Sequence, residues 1–341
     1  MVRSLEFTHE TLVSYSGFYN KPEVLKSCAS GGVATRLSEW MIQEGGTVFG
    51  VAYSSDFKRA GYCSAKSVAD IEKLKGSKYI YADKQMESGC SVYQAVADLL
   101  KRDEKVLFVG LGCDVFAVKT YLFNHNISTA NLYLVDLVCD GPTEPIVQDQ
   151  YIELLEKKYK SKIKYFSVRY KKYGWTPPYV RAEFESGKIF EKPFYETDFG
   201  YAFNIFKRIS CYKCQFKGER HYSDLTIGDY WGLTRNMSGY NKDGVSIIFL
   251  HSEKGKALIN NISTNDFTIE NASTEIALLN NIPYTTCRDK PDNYNKFKWM
   301  LDNKGLHYAV IHDIGKLKYY MKVIYREIRN QFYQLWIFIQ G

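Results

Sequence analysis

The stretch "KVLFVGLGCDVFAVKTYLFNHNISTANLYLVDLVCDG", Lys105 to Gly141, decides the fold. It opens on a short apolar run and passes a Gly-x-Gly turn. It then continues as "VFAVKTYLFNH" with helical spacing and ends on a second apolar run, "NLYLVDLV". Two β-rich runs joined through a helix make a strand–helix–strand unit, and such units build parallel sheets. If the two strands are parallel, Cys113 and Cys139 both leave the sheet at its carboxyl edge, where open α/β sheets place their ligands. Gly110 and Gly112 let the backbone pass close to a bulky group there.

Outward from this unit the alternation continues. In "GGVATRLSEWMIQE" (Gly31 to Glu44) Val33, Leu37, Trp40 and Met41 fall at helical spacing, and "TVFGVAY" follows as a buried strand. "VYQAVADLLKRD" is a further helix. After about residue 160 the pattern changes: "YVRAEFESGKIFEKPF" reads as two strands around a Ser-Gly turn, "DGVSIIFLHS" as a strand and "EKGKALINNI" as a helix. Beyond 260 the signals weaken into loops and short helices until the helical tail Lys316 to Ile339. The expected fold is α/β, a mostly parallel sheet flanked by helices, with an added antiparallel hairpin region and a C-terminal helical tail. Residues 1–260 are expected to form one domain (parts about 24–104 and 105–260), and 261–341 a helical extension.

With 341 residues, 45% apolar and 24% charged, the composition suits a soluble globular protein with ample core. A formal charge of +7 is mild. It suits an anionic substrate, a phosphate-bearing cofactor or a membrane surface, and no dense basic tract points to nucleic acid. The opening "MVRSLEFTHETLV" has no apolar signal core, and no run approaches the roughly 20 apolar residues of a spanning helix. A cytoplasmic protein is expected, and there the eight cysteines point to metal or redox roles rather than disulfides.

Cys211 and Cys214 stand at C-x-x-C spacing in "CYKC". A stable thiolate site usually needs four ligands, and the strand-end Cys113 and Cys139 are the candidates for the other two. Spacing alone leaves an iron–sulfur cluster, a zinc knuckle and two plain loop thiols all open. Cys28, Cys63, Cys90 and Cys287 are expected to act as small hydrophobes. The six histidines carry no metal-ligand pattern.

Seven short motifs occur in order: "SGG" (Ser30 to Gly32), "GSKY" (Gly76 to Tyr79), "FVGLGCD" around Cys113, "VDLVCDG" around Cys139, "CYKC", "DLTIGDYWG" (Asp224 to Gly232) and "DGVS" (Asp243 to Ser246). On these the chain, from about residue 24 to 260, resembles the coenzyme F420 hydrogenase/dehydrogenase beta-subunit family and its bacterial relatives associated with surface-polysaccharide biosynthesis. The resemblance implies one [4Fe-4S] cluster on Cys113, Cys139, Cys211 and Cys214, with FAD or another flavin beside it. It departs from the family at Gly112-Cys113-Asp114, where Pro-Cys-Gln is usual, and at Cys139-Asp140-Gly141, where Cys-His-Gly is frequent. Each departure adds an acid beside a ligand, which is expected to lower the cluster potential. The Cys-rich ferredoxin module of many relatives is not in this sequence, so electrons are expected from an external one-electron carrier such as ferredoxin, unless the cluster has only a local role.

The flavin-binding candidates are Ser30, Gly31, Gly32, Ser77, Lys78, Tyr79, Gly228, Asp229, Trp231, Gly244 and Ser246. "SGG" ahead of a helix is either a phosphate cradle or a plain N-cap. Lys78 is the catalytic candidate, neutralising a pyrophosphate or polarising the flavin or substrate; its plainer role is a solvated lysine. Gly228, Asp229 and Trp231 offer a close backbone approach and a ring wall, or else a buried strand ending in a turn. The substrate is expected to be a deazaflavin or a sugar derivative. The rival expectation is a non-redox, zinc-stabilised accessory protein of glycan biosynthesis. The tail, with Lys316, Lys318, Lys322, Arg326 and Arg329 among apolar residues, is a basic amphipathic helix that docks on its own domain or a second copy, or lies on an anionic membrane.

Overall fold

The computed structural model describes residues 12–218, 220–319, 321 and 325. In chain order the strands are β1 (Ser14–Tyr19), β2 (Thr47–Tyr53), β3 (Ala60–Ala65), β4 (Val106–Leu111), β5 (Leu132–Leu137) and β6 (Ile163–Tyr170). They continue with β7 (Tyr179–Phe184), β8 (Ile189–Pro193), β9 (Leu225–Asp229), β10 (Ser246–Leu250) and β11 (Phe267–Asn271). Eight of them form one sheet in the order β11-β1-β10-β9-β5-β4-β2-β3, and β6-β7-β8 form a second. The centre of the large sheet, β2-β4-β5-β9, is parallel, and antiparallel pairs extend it on both sides. This is the α/β architecture that the sequence alternation implied.

The parallel centre is buried on both faces, as crossover helices require. Along β4 the side chains alternate between two cores. Val106 and Phe108 join Val96, Leu100, Val115 and Leu122 of the helices Val92–Lys101 and Gly112–Asn124. Leu107 faces the other way, to Leu37 and Met41 of the helix Val33–Gln43 and Leu258 of the helix Glu253–Ile262. A period of two thus seals both sides of one strand.

The long connection from β5 to β9 carries the helix Pro145–Tyr159, the small sheet and the helix Asp198–Ile205. The small sheet buries Phe166, Val168, Val180 and Phe184 in the first core. The connection then returns to the carboxyl edge of β5 as a short 3-10 turn, Ile209–Lys213. Residues beyond 260 supply β11 to the edge of the large sheet and bury Phe297, Leu301 and Val310 in the first core. The expected tail helix falls outside the described residues apart from Lys316–Tyr319, Met321 and Tyr325. Among the described residues no helix is long and apolar enough to cross a membrane.

Candidate functional site

Register places the first two cysteines. β4 and β5 pair through Leu111 and Leu137, so Cys113 and Cys139 each lie two residues beyond paired strand ends. Cys113 opens the helix Gly112–Asn124, and Cys139 begins the turn to Gly141, whose φ of +89° is a glycine conformation. The 3-10 turn then brings Cys211 and Cys214 to the same edge. A Cβ on Gly141 would stand 2.9 Å from the Cβ of Cys211 and 3.3 Å from its Sγ.

Cys139 and Cys214 act on both Cys113 and Cys211. Burial raises the Cys113 thiol, and Asp114, Cys139 and Cys214 add to the effect. Burial also pushes Cys211 up to about 11, with Cys139 and Cys214 contributing. Cys139 is raised by burial and by Cys214, against a lowering pull from Lys217, the Gly141 N–H and Lys207. Such thiols resist ionisation until a cation takes their charge, which is the chemistry of a metal-thiolate donor set. Among the described residues, no three Cys, His, Asp or Glu side chains converge as ligands of a single metal ion do.

The two acids that depart from the family pattern are both paired. Asp114 is bound by Lys84 at 3.0 Å and accepts the Tyr62 hydroxyl at 2.8 Å. Asp140 is held by the fully buried Lys207 at 3.1 Å and by Arg288 at 2.8 Å. Lys217 donates to the carbonyls of Cys139 and Pro283, tying the cysteine turn to the segment beyond 260. The negative charge expected beside the ligands is therefore offset by neighbouring cations.

Most of the flavin-binding candidates gather at an adjoining corner. The Ser30 hydroxyl donates to Val245 O at 3.0 Å, and the Gly31 N–H donates to the Ser246 hydroxyl at 2.9 Å. A Cβ on Gly244 would lie 3.2 Å from both the Ser30 carbonyl carbon and the Trp175 Cβ, and Trp175 packs on Trp231 at 4.4 Å. Buried Arg169 draws the rest in, donating to Ala29 O and Asp229 at 2.9 Å each and to the Tyr79 hydroxyl at 3.3 Å. Tyr79 stacks on Phe203 at 4.6 Å. The two corners touch: a Cβ on Gly228 would come 2.7 Å from Val138, the residue before Cys139.

Two candidates have unexpected surroundings. Gly31 lies against β1, where a Cβ would stand 2.0 Å from Gly17 O. Lys78 is buried, and its ammonium donates to the carbonyls of Leu74, Lys75 and Gly76 at 2.9, 2.8 and 3.1 Å. Burial pulls its pKa down to about 7. Ser77 precedes it in the same loop, and Gly32 caps the helix Val33–Gln43 with a φ of +94°.

Sequence patterns alone do not single out Arg169, Lys171, Lys207, Lys217, Arg288 or a buried polar stack under the cysteine edge. In that stack His221 contacts Asp136 at 3.2 Å and Thr226 at 3.1 Å, and its ring stacks on His251 and Tyr284. Burial and the neighbouring His221 hold the His251 pKa down at about 3, so it is neutral at physiological pH. The run of cations from Lys207 to Arg220 around "CYKC" is the one signal of these groups that the sequence offers.

Four cysteines thus lie at the carboxyl edge of an α/β sheet, with a glycine loop beside them, which is where open α/β sheets place their ligands. The model for the C-terminal region of the coenzyme F420 hydrogenase/dehydrogenase beta-subunit family matches residues 103–275, and the chain belongs to that family. A chain of the F420-reducing [NiFe] hydrogenase complex from Methanosarcina barkeri shares the fold. The TM-score is 0.53 at 17% identity, covering 76% of this chain and 81% of that one. No curated protein matches the sequence.

Proposed function

We propose that this chain is an oxidoreductase holding one [4Fe-4S] cluster on Cys113, Cys139, Cys211 and Cys214 and a flavin at the adjoining glycine-loop corner. The single observation that carries it is that those four cysteines lie at one sheet edge, next to the Gly228–Val138 contact. Four thiolates can hold a multi-iron group, and membership of a hydrogenase/dehydrogenase family supports a redox-active one. When bound, a flavin supplies two-electron hydride chemistry and a cluster one-electron transfer.

The protein's own part is to hold and insulate. Lys84, Lys207, Lys217 and Arg288 balance charge around the thiolates. Trp231 and Tyr79 wall the flavin corner, and Ser30, Gly32, Gly244 and Ser246 shape its loops. Lys78 is the candidate for charge or proton donation to flavin or substrate, which requires its carbonyl cage to open. An external one-electron carrier or a partner protein would exchange electrons at the cysteine edge, in deazaflavin chemistry or in bacterial polysaccharide metabolism.

Anaerobic purification followed by absorption spectra before and after dithionite tests this. A brown protein with releasable flavin and bleachable absorbance is expected, and a colourless protein after anaerobic reconstitution would refute it. Oxidation of reduced F420, followed by its absorbance, separates a deazaflavin substrate from a sugar derivative.

A further inference from the structure

We propose that Arg169, near the end of β6, and Lys171, just beyond it, form a recognition site for the phosphate of the cofactor at the glycine-loop corner; this rests on the flavin proposal above. Both side chains reach the SGG loop, Arg169 at Ala29 O and Lys171 at Ser30 O. Arg169 gives two N–H groups of Nη2 to Ala29 O and Asp229 and one of Nη1 to Tyr79. Its Nε is buried without a partner. A guanidinium carries five donors and an ammonium three, so Arg169 and Lys171 both retain unused donors.

Lys171 is 5% exposed and donates to the carbonyls of Leu25 and Ser30, each at 2.7 Å. It makes no ion pair among the described residues. Cys28, Asp229 and Asp243 act on it only from beyond ion-pair distance, and Arg169 opposes its charge. A buried ammonium satisfied by neutral carbonyls alone is costly, and burial pulls its pKa down to about 8. A phosphate oxygen would remove that cost and use the spare donors. The adjoining helix Val33–Gln43 contributes in the same sense. It starts without a side-chain cap and without an acid in its first turn, so its dipole favours an anion nearby.

The competing account is that Lys171 is only a strut, capping the helix Pro22–Ser27 through Leu25 O. Titrating the cofactor-free protein with FAD, FMN and riboflavin separates the two. The phosphate-bearing flavins should bind at least 10-fold tighter than riboflavin in the native protein and in Lys171→Arg. In Lys171→Gln, which keeps a donor without the charge, that ratio should fall towards one. An unchanged ratio in a folded Lys171→Gln protein would overturn the site while leaving flavin binding intact. If no flavin binds, the flavin proposal has failed, and thermal shift with inorganic pyrophosphate decides the rest. Stabilisation of the native protein but not of Lys171→Gln supports an anion site for another phosphate ligand, and no stabilisation of the native protein overturns it.

Discussion

At the cysteine corner, Gly112 stands 3.2 Å from the Phe216 Cβ and 3.3 Å from Asp136 at the position its own Cβ would take, and thiols and cations fill the loops around it. At the glycine-loop corner, Gly31 would put its Cβ 2.0 Å from the backbone of β1. Both motifs contain glycine beside a ligand candidate, but at Gly112 the nearest neighbours are side-chain atoms that need yield only a few tenths of an ångström, whereas at Gly31 they are backbone atoms. A cysteine states its chemistry in its own side chain. A glycine states only that something is close, and that something is as often the protein's own backbone as a phosphate.

The largest expected effect breaks the comparison directly. Gly31→Ala forces β1 and the SGG loop apart and should cost about 3 kcal/mol or more. Gly112→Ala, at the start of a helix, should stay within about 1 kcal/mol because better helix propensity offsets a small clash. Chemical denaturation of the two variants measures the difference, and equal losses would remove the distinction between the corners.

Next in size is the charge lock on the cysteine turn. Lys207→Met should destabilise by about 2 kcal/mol, below the range for a fully buried pair because Asp140 keeps Arg288. Arg288→Ala, removing a half-exposed partner, should cost about 0.5 kcal/mol. If the two losses were reversed in size, Lys207 would not be the main counter-charge.

The smallest effect is a pH dependence. The thiols of Cys113, Cys139 and Cys211 have raised pKa values, so the folded protein favours their protonated forms. The stability they contribute is present below the ordinary thiol pKa and is lost as pH rises through the folded value, about 11 for Cys211. Denaturation of the cofactor-free protein between pH 8 and about 11 should show this decline, and Cys211→Ser should flatten it.

The elements legible in the sequence were those with strong local signals. The "VLFVG" and "LYLVDL" runs and the helix between them form as their patterns demand, and the Ser-Gly hairpin is β7–β8. β1, "SYSGFY", carries serines and a glycine and owes its place to β10 and β11, more than 220 residues away. β11 "FTIEN" and β3 "AGYCSA" are edge strands with little apolar content of their own. The cysteine ligand candidates could be read because parallel strand ends converge by rule. Lys217 and Arg288 could not, because their partners Cys139 and Asp140 are set by the path of the β5–β9 connection rather than by any spacing.

The central claim is that Cys113, Cys139, Cys211 and Cys214 form one site and that the other four cysteines stand outside it. Iron and acid-labile sulfide per chain, measured after anaerobic reconstitution of all eight single Cys→Ser variants, tests this most directly. About four irons should remain in the Cys28, Cys63, Cys90 and Cys287 variants, with most of the iron lost from the other four. Full iron in Cys139→Ser, or equal loss in Cys287→Ser (whose thiol donates to Tyr212 O between the paired cysteines), would contradict the account.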